Sequence, residues 1–183
     1  LAGAAGTDVE SAVRGALPMI IGHLPAGYVT ARLLLARARA CGVAARYFVL
    51  ASAVGAIAPD FDLAYFYLVD ARQHHHHAYA SHFPAVWIAA MVACAVWWRT
   101  GKFRQGALVA GVFALGGFVH MLLDSVVGDI AWFAPFDLQR YSLFTVPALF
   151  KPWWLNFIFH WSFALELAVV LAAVRLASPP PVM

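Results

Sequence analysis

Apolar residues in this chain come in long blocks separated by short polar intervals. That is the pattern of helices buried around most of their circumference, not the period-two alternation of half-buried strands. The first block covers residues 19–38 and is interrupted by His23 and Arg32. The second, 47–58, must stop at Pro59, because proline has no amide proton for a helix and biases its predecessor toward extended backbone. That stop delivers Asp60 and Asp62 to the end of the block. Residues 63–69 are aromatic-rich and suit a bilayer interface, 83–98 and 106–127 form two further blocks, and 155–177 forms the last. Between these, residues 128–154 lack a span-length run yet hold Trp132, Phe133, Phe136, Tyr141, Phe144, Phe150, Trp153 and Trp154, a profile suited to the headgroup layer. The pattern predicts an all-α integral membrane bundle of about five apolar helices with an aromatic interfacial segment, forming one domain over residues 19–178. Residues 1–18 read as an N-terminal extension, with Thr7 and Glu10 at capping-box spacing and Met19 as a candidate native start; residues 179–183 read as a tail.

Composition supports the membrane reading. Hydrophobic residues make up 63% and charged residues 11%, with a mean hydropathy of +0.76, whereas soluble domains are about half apolar and about a quarter charged. The net charge of +3 does not indicate nucleic-acid binding, because the basic residues are dispersed beside apolar blocks and form no patch. Cys41 and Cys94 lie far apart and define neither a disulfide framework nor a zinc site.

If successive helices alternate in direction, their ends fall on two faces, and the ionisable residues separate between them. One face receives Arg32, Arg37, Arg39, Arg46, Arg99, Lys102, Arg104 and Arg175; the other receives all eight histidines and every acid except Glu166, which lies inside the last block. Arg14, Arg72, Arg140 and Lys151 stay on the histidine face, a bias of eight to four. Positive residues mark the cytoplasmic side, so the histidine face is expected to look outward, toward the periplasm where there is one.

The chemistry concentrates on that face. His74, His75, His76, His77 and His82 crowd into one internal stretch, whereas a purification tag would sit at a terminus. Neutral imidazole is the commonest ligand for zinc and its neighbours. A solvated histidine loop that takes up metal adventitiously is the bland alternative. His120 and Asp124 are four residues apart and so project from one side of a helix, as two ligands of one ion or a ligand and its orienting carboxylate would. Ionisable groups at membrane depth are costly and tend to be functional.

Taken as an ordered set, these residues resemble the YdjM-like (LexA-binding) family of inner-membrane-associated proteins, whose members are assigned by prediction as metal-dependent hydrolases. The pattern stands here as His23, then Pro59-Asp60-Phe61-Asp62, then His74 to His77 with Ser81-His82, then His120 and Asp124-Ser125 followed by Gly128 and Pro135-Phe136. Two positions depart from it: Ala78 follows His77 where the family commonly has arginine, and Ser81 stands where it has threonine. Arg72 is the candidate to replace the missing arginine toward an anionic substrate.

The resemblance implies a bacterial inner-membrane hydrolase that uses metal-activated water. The expected ligands are His23, Asp60, His77, His82, His120 and Asp124, holding one or two zinc ions, with manganese or iron as alternatives. Asp62 is the expected general base, with His76 beside it as a further ligand or helper. Arg72, Trp132 and Phe136 are expected to meet the substrate, a lipid or lipid-linked ester or phosphoester presented at the bilayer surface. His160 and Asp137 are held in reserve. Two other classes compete. A structural metal site would be closed by four protein ligands. A metal or proton transporter would need ligands spread through the bilayer, where only Glu166 is deep.

Overall fold

The computed structural model describes residues 21–71, 73–152 and 154–178. The extension 1–18 with its capping box, Met19, Arg72, Trp153 and the tail 179–183 lie outside the described residues. The described residues form seven α-helices and no strand: α1 (His23–Ala40), α2 (Ala45–Gly55), α3 (Asp62–Leu68), α4 (Pro84–Arg99), α5 (Arg104–Asp124), α6 (Trp154–Ile158) and α7 (Ser162–Ala177). Single 3-10 turns at Pro59–Phe61, His76–Ala78 and Ala80–His82 link α2 to α3 and carry the chain into α4. An isolated antiparallel bridge joins Ile130 and Tyr141 in the segment after α5.

Local chemistry explains the ends. α1 stops at Gly42, whose φ of +78° places it in the left-handed region, and Val43 N–H reaches back to the Ala38 carbonyl at 3.0 Å. Arg37 and Arg39 in the last turn of α1, Arg99 in that of α4 and Arg175 in that of α7 complement the helix dipoles. Arg37, Arg39, Arg46, Arg99, Arg104 and Arg175, which the sequence sorted to one face, thus lie at the helix ends remote from His23, His82 and Asp124, whereas Arg32 lies midway along α1.

α5 packs against α4 and α2, while α1 packs on α2, α5 and α7. Small residues let the backbones approach where α1, α2 and α5 cross. A Cβ on Gly27 or on Gly116 would collide with the backbone oxygen of Ser52, and the Ser52 hydroxyl donates to the Gly27 carbonyl at 2.8 Å. Beyond this crossing, toward the arginine ends, Ala31, Leu35, Ala38, Val43, Phe48 and Val112 form one apolar core. Near the other end Trp87, Ala114, Met121 and Ile130 form a second.

The all-α fold is as expected, but five separate spans are not confirmed among the described residues. Among the described residues only α5 is by itself long and apolar enough to cross a membrane. At 21 residues it reaches about 31 Å, matching a hydrocarbon layer of about 30 Å. The second expected span ends at Gly55, and its continuation Pro59–Leu68 is bent by 58°, because Pro59 breaks the helix. α4 is apolar but short, at 16 residues. α1 starts at His23 and carries Arg32, Arg37 and Arg39. The last expected span is divided into α6 and α7 by the turn at residues 159–161. The segment 128–152, expected at the interface, holds no helix and exposes Phe133, Phe136, Leu138 and Leu143.

Candidate metal centre

Four separate parts of the chain converge at one end of the helices. α1 begins there with His23; the break after α2 presents Asp60 and Asp62; the two 3-10 turns before α4 present His76, His77 and His82; and α5 ends there with His120 and Asp124. His23, His76, His77, His82, His120 and Asp124 are all buried. The loop is clamped from below, since Trp87 Nε1 donates to the Ser81 carbonyl at 2.8 Å and its ring lies where a side chain on Gly117 would have to go.

Hydrogen bonds assign the imidazole nitrogens. His120 Nδ1 lies 2.8 Å from the Ala56 carbonyl, which can only accept, so Nδ1 carries the proton. His76 Nδ1 is 3.1 Å from Asp62 Oδ1 and His82 Nδ1 is 2.8 Å from Asp62 Oδ2, and the Ser81 hydroxyl donates to the same Asp62 oxygen. Each ring therefore anchors Nδ1 outward and turns Nε2 inward, toward Asp60 Oδ1, at 3.9 Å from His76, 3.7 Å from His82 and 3.6 Å from His120. These separations are too long for hydrogen bonds. They suit ligands of one ion, since two donors each about 2.1 Å from a tetrahedral zinc lie about 3.4 Å apart. Imidazoles with one nitrogen on a carboxylate or carbonyl and the other aimed inward form the outer arrangement typical of metal-ligating histidines.

A second group adjoins the first. His23 Nε2 is 3.0 Å from Asp124 Oδ1, while His120 Nε2 and His77 Nε2 lie 3.0 and 3.5 Å from Asp124 Oδ2. The His23 and His120 rings stack with centroids 3.8 Å apart. Asp124 sits in the last turn of a helix, where the dipole disfavours a negative charge, and it is almost fully buried. Only positive charge or strong donors around it can hold an ionised carboxylate there.

The fit to a cation is visible in what is left unpaired. Among the described residues seven buried side-chain polar atoms make no hydrogen bond, and six of them belong to this cluster: His76 Nε2, both nitrogens of His77, His82 Nε2, His120 Nε2 and Asp124 Oδ2. Buried polar atoms are otherwise almost always satisfied, so orphans concentrated at one point, most of them able to offer a lone pair, are arranged for a ligand. Imidazole and carboxylate donors suit zinc, manganese or iron. The residues present fit the group that the sequence implied.

Electrostatics differentiates the histidines. Burial disfavours a charged His82, but the Asp60 and Asp62 carboxylates outweigh it and push its pKa up to about 9. Burial dominates at His77, which the Asp124 charge does not rescue, and holds it well below the usual imidazole value, leaving a neutral donor. Burial and the charge of Arg140 take His75 down to about 4.

The structure thus brings together His23, Asp60, His77, His82, His120 and Asp124, the six residues expected as ligands, with His76 and Asp62, expected beside them, in the same cluster. His74 is exposed and tied to Asp70, Nδ1 to carboxylate at 2.7 Å, and His75 uses Nδ1 to accept from His77 N–H. Trp132 is half-buried and donates Nε1 to Ser125 Oγ at 2.8 Å, below the end of α5. Phe136 is 97% exposed. His160 pairs with Ser162 Oγ, and Asp137 accepts from Gln139 N–H; neither joins the cluster. Sequence reasoning missed the Ala56 carbonyl, a backbone group that no residue pattern marks, and left Glu166 without a partner.

No curated protein and no solved structure matches the chain, but the family model described as YdjM inner membrane protein matches residues 19–178. That range contains every residue of the centre and nearly all of the chain, which therefore belongs to the YdjM inner membrane protein family.

Proposed function

We propose that the chain is a membrane-embedded, metal-dependent hydrolase that acts at the bilayer surface on a lipid or lipid-linked ester or phosphoester. The observation that carries this reading is the set of six unpaired buried atoms on the 3-10 turns and the end of α5, which His23 of α1 and Asp60 of the break after α2 approach at co-ligand separations. His76, His82, His120 and Asp60 form one ligand group, and His23, His77 and Asp124 a second, with His120 within reach of both. Zinc is the preferred ion, and a bound divalent cation supplies Lewis acidity that polarises the scissile carbonyl or phosphoryl oxygen and acidifies water.

The remaining roles follow from the hydrogen bonds. Asp62, occupied by His76, His82 and Ser81, orients those ligands and is a poorer general base than its sequence position suggested. Asp60 takes over proton acceptance, because its side chain is 28% exposed while the histidines around it are closed off. Water and substrate therefore enter on the Asp60 side. Phe61, Tyr65 and Leu68, exposed on and beside α3, offer apolar surface to acyl or polyprenyl chains next to that entrance. Arginines at the far helix ends support an outward-facing centre.

The test is metal analysis of protein purified in detergent, followed by hydrolysis assays on lipid esters and lipid-linked phosphoesters with and without chelator. The expected result is stoichiometric zinc and chelator-sensitive turnover, both lost in Asp60→Ala and His120→Ala. Full metal occupancy in both variants would overturn the ligand set, and zinc without turnover on any substrate of these classes would leave a structural metal in place of an enzyme.

A further inference from the structure

We infer that Glu166 is a positioning residue of the metal centre, acting through His23 by clamping the start of α1; the inference rests on the metal-site reading above. Glu166 is almost fully buried on α7, one turn after the equally buried Ser162, on the face that packs against α1. Its Oε2 accepts from two backbone amides at once, Ile21 N–H at 2.6 Å and Gly22 N–H at 3.0 Å. These amides immediately precede His23, the first residue of α1.

Helix starts leave several N–H groups without partners, and side chains at the cap usually satisfy them. Here the cap is Gly22, which has no side chain to offer, and the first turn carries no acid. The acceptor comes instead from a helix about 145 residues later in the chain. A carboxylate at a helix N-terminus is favoured by the dipole, which explains how an acid can stay buried in an otherwise apolar helix.

The geometric consequence falls on His23. With the two preceding peptide units fixed, the helix begins at a set rotation, and His23 points across to Asp124 at 3.0 Å and stacks on His120. A helix turns about 100° per residue, so fraying the start of α1 would swing His23 out of the centre. Three of the other imidazoles are held by their own outer partners, Asp62 for His76 and His82 and Ala56 for His120. For His23 the holding contact is made to the backbone, and Glu166 makes it.

The experiment titrates the full chain in detergent micelles with Co(II), reading affinity and the visible d–d bands alongside thermal stability. Wild type is expected to bind. Glu166→Ala should weaken binding by about tenfold to a hundredfold, the usual cost of losing an outer partner, and alter the d–d bands. Glu166→Gln, which keeps an oxygen acceptor, should fall between wild type and Glu166→Ala. The double variant His23→Ala/Glu166→Ala should bind no more weakly than His23→Ala alone, since Glu166 acts only through that ligand. If Glu166→Ala does not fold, Glu166→Asp, with its carboxylate drawn back by one methylene, carries the test and should also weaken binding. A folded Glu166→Ala or Glu166→Asp with lowered stability but unchanged Co(II) affinity and spectrum would make Glu166 a structural tie and overturn the inference, as would losses that add to that of His23→Ala. Failure of wild type to bind Co(II) would instead sink the metal reading itself.

Discussion

The arginine-side half of α5 lines an apolar groove of about 690 Å³ through Ala107, Leu108, Gly111 and Val112, with Leu34 and Met91 opposite, and the charged group on its lining is Arg99. Further along, the same helix buries His120 and Asp124 among six other imidazoles and carboxylates. Both regions are formed by apolar helices with similar packing. They differ in where charge sits. At the groove, charge stays at the exposed helix ends, where water or headgroups solvate it; at the centre, charge and lone pairs are buried and can be tolerated only because they face one another. A groove of this size with apolar walls is a packing feature, whereas a cluster of unpaired buried donors is a binding feature.

Substitutions can break that contrast, and the largest effect is expected at Asp124. Asp124→Ala removes a carboxylate whose two oxygens face three imidazoles, and metal content measured by mass spectrometry should fall from stoichiometric to below about a tenth, as for loss of any primary ligand of a zinc site. Asp62→Asn should leave the fold intact and weaken metal binding by about tenfold to a hundredfold, because it disturbs the orientation of His76 and His82 without removing a ligand. Unchanged affinity in this variant would mean that Asp62 does not orient the two rings.

Acidity sharpens the contrast further. His82 has a folded-state pKa raised to about 9, so its pairing with Asp60 and Asp62 stabilises the metal-free protein fully below the ordinary imidazole value and is lost as pH rises through about 9. A cation must displace that proton, so metal affinity should run the opposite way, rising by about tenfold per pH unit between pH 7 and pH 9 in a competition titration. A flat profile would mean that His82 is not a ligand. Gly116→Val, at the crossing between the two regions, should lower stability by about 1–3 kcal/mol through collision with the Ser52 carbonyl, read as a fall in melting temperature. Arg99→Ala, at the groove, should change neither metal content nor affinity.

Part of this arrangement could be read along the chain. Pro59 marks the break that frees Asp60 and Asp62, and the four-residue spacing of His120 and Asp124 places both on one helix face. The segregation of arginines from histidines anticipates the two ends. The number of spans could not be read, because apolar blocks of similar composition become a straight α5, a 58° bend after α2 and a split between α6 and α7, according to how each packs. Nor could the division of labour within His74 to His77. Four identical neighbours separate into an exposed residue, a half-buried cap and two buried donors only because a 3-10 turn begins at His76.

The sequence by itself determined that this chain is helical and membrane-directed, and which ionisable residues would be too costly to bury in an apolar helix without a common purpose. Those are properties of single residues and near neighbours. Tertiary structure alone decided which nitrogen of the His76, His82 and His120 imidazoles turns inward, that Asp62 is occupied by those rings while Asp60 stays partly exposed, and that Glu166 bonds the amides before α1. Each depends on atoms brought within about 3 Å across stretches of up to 145 residues, and hydrogen-bond direction and packing at that range leave no trace in local pattern.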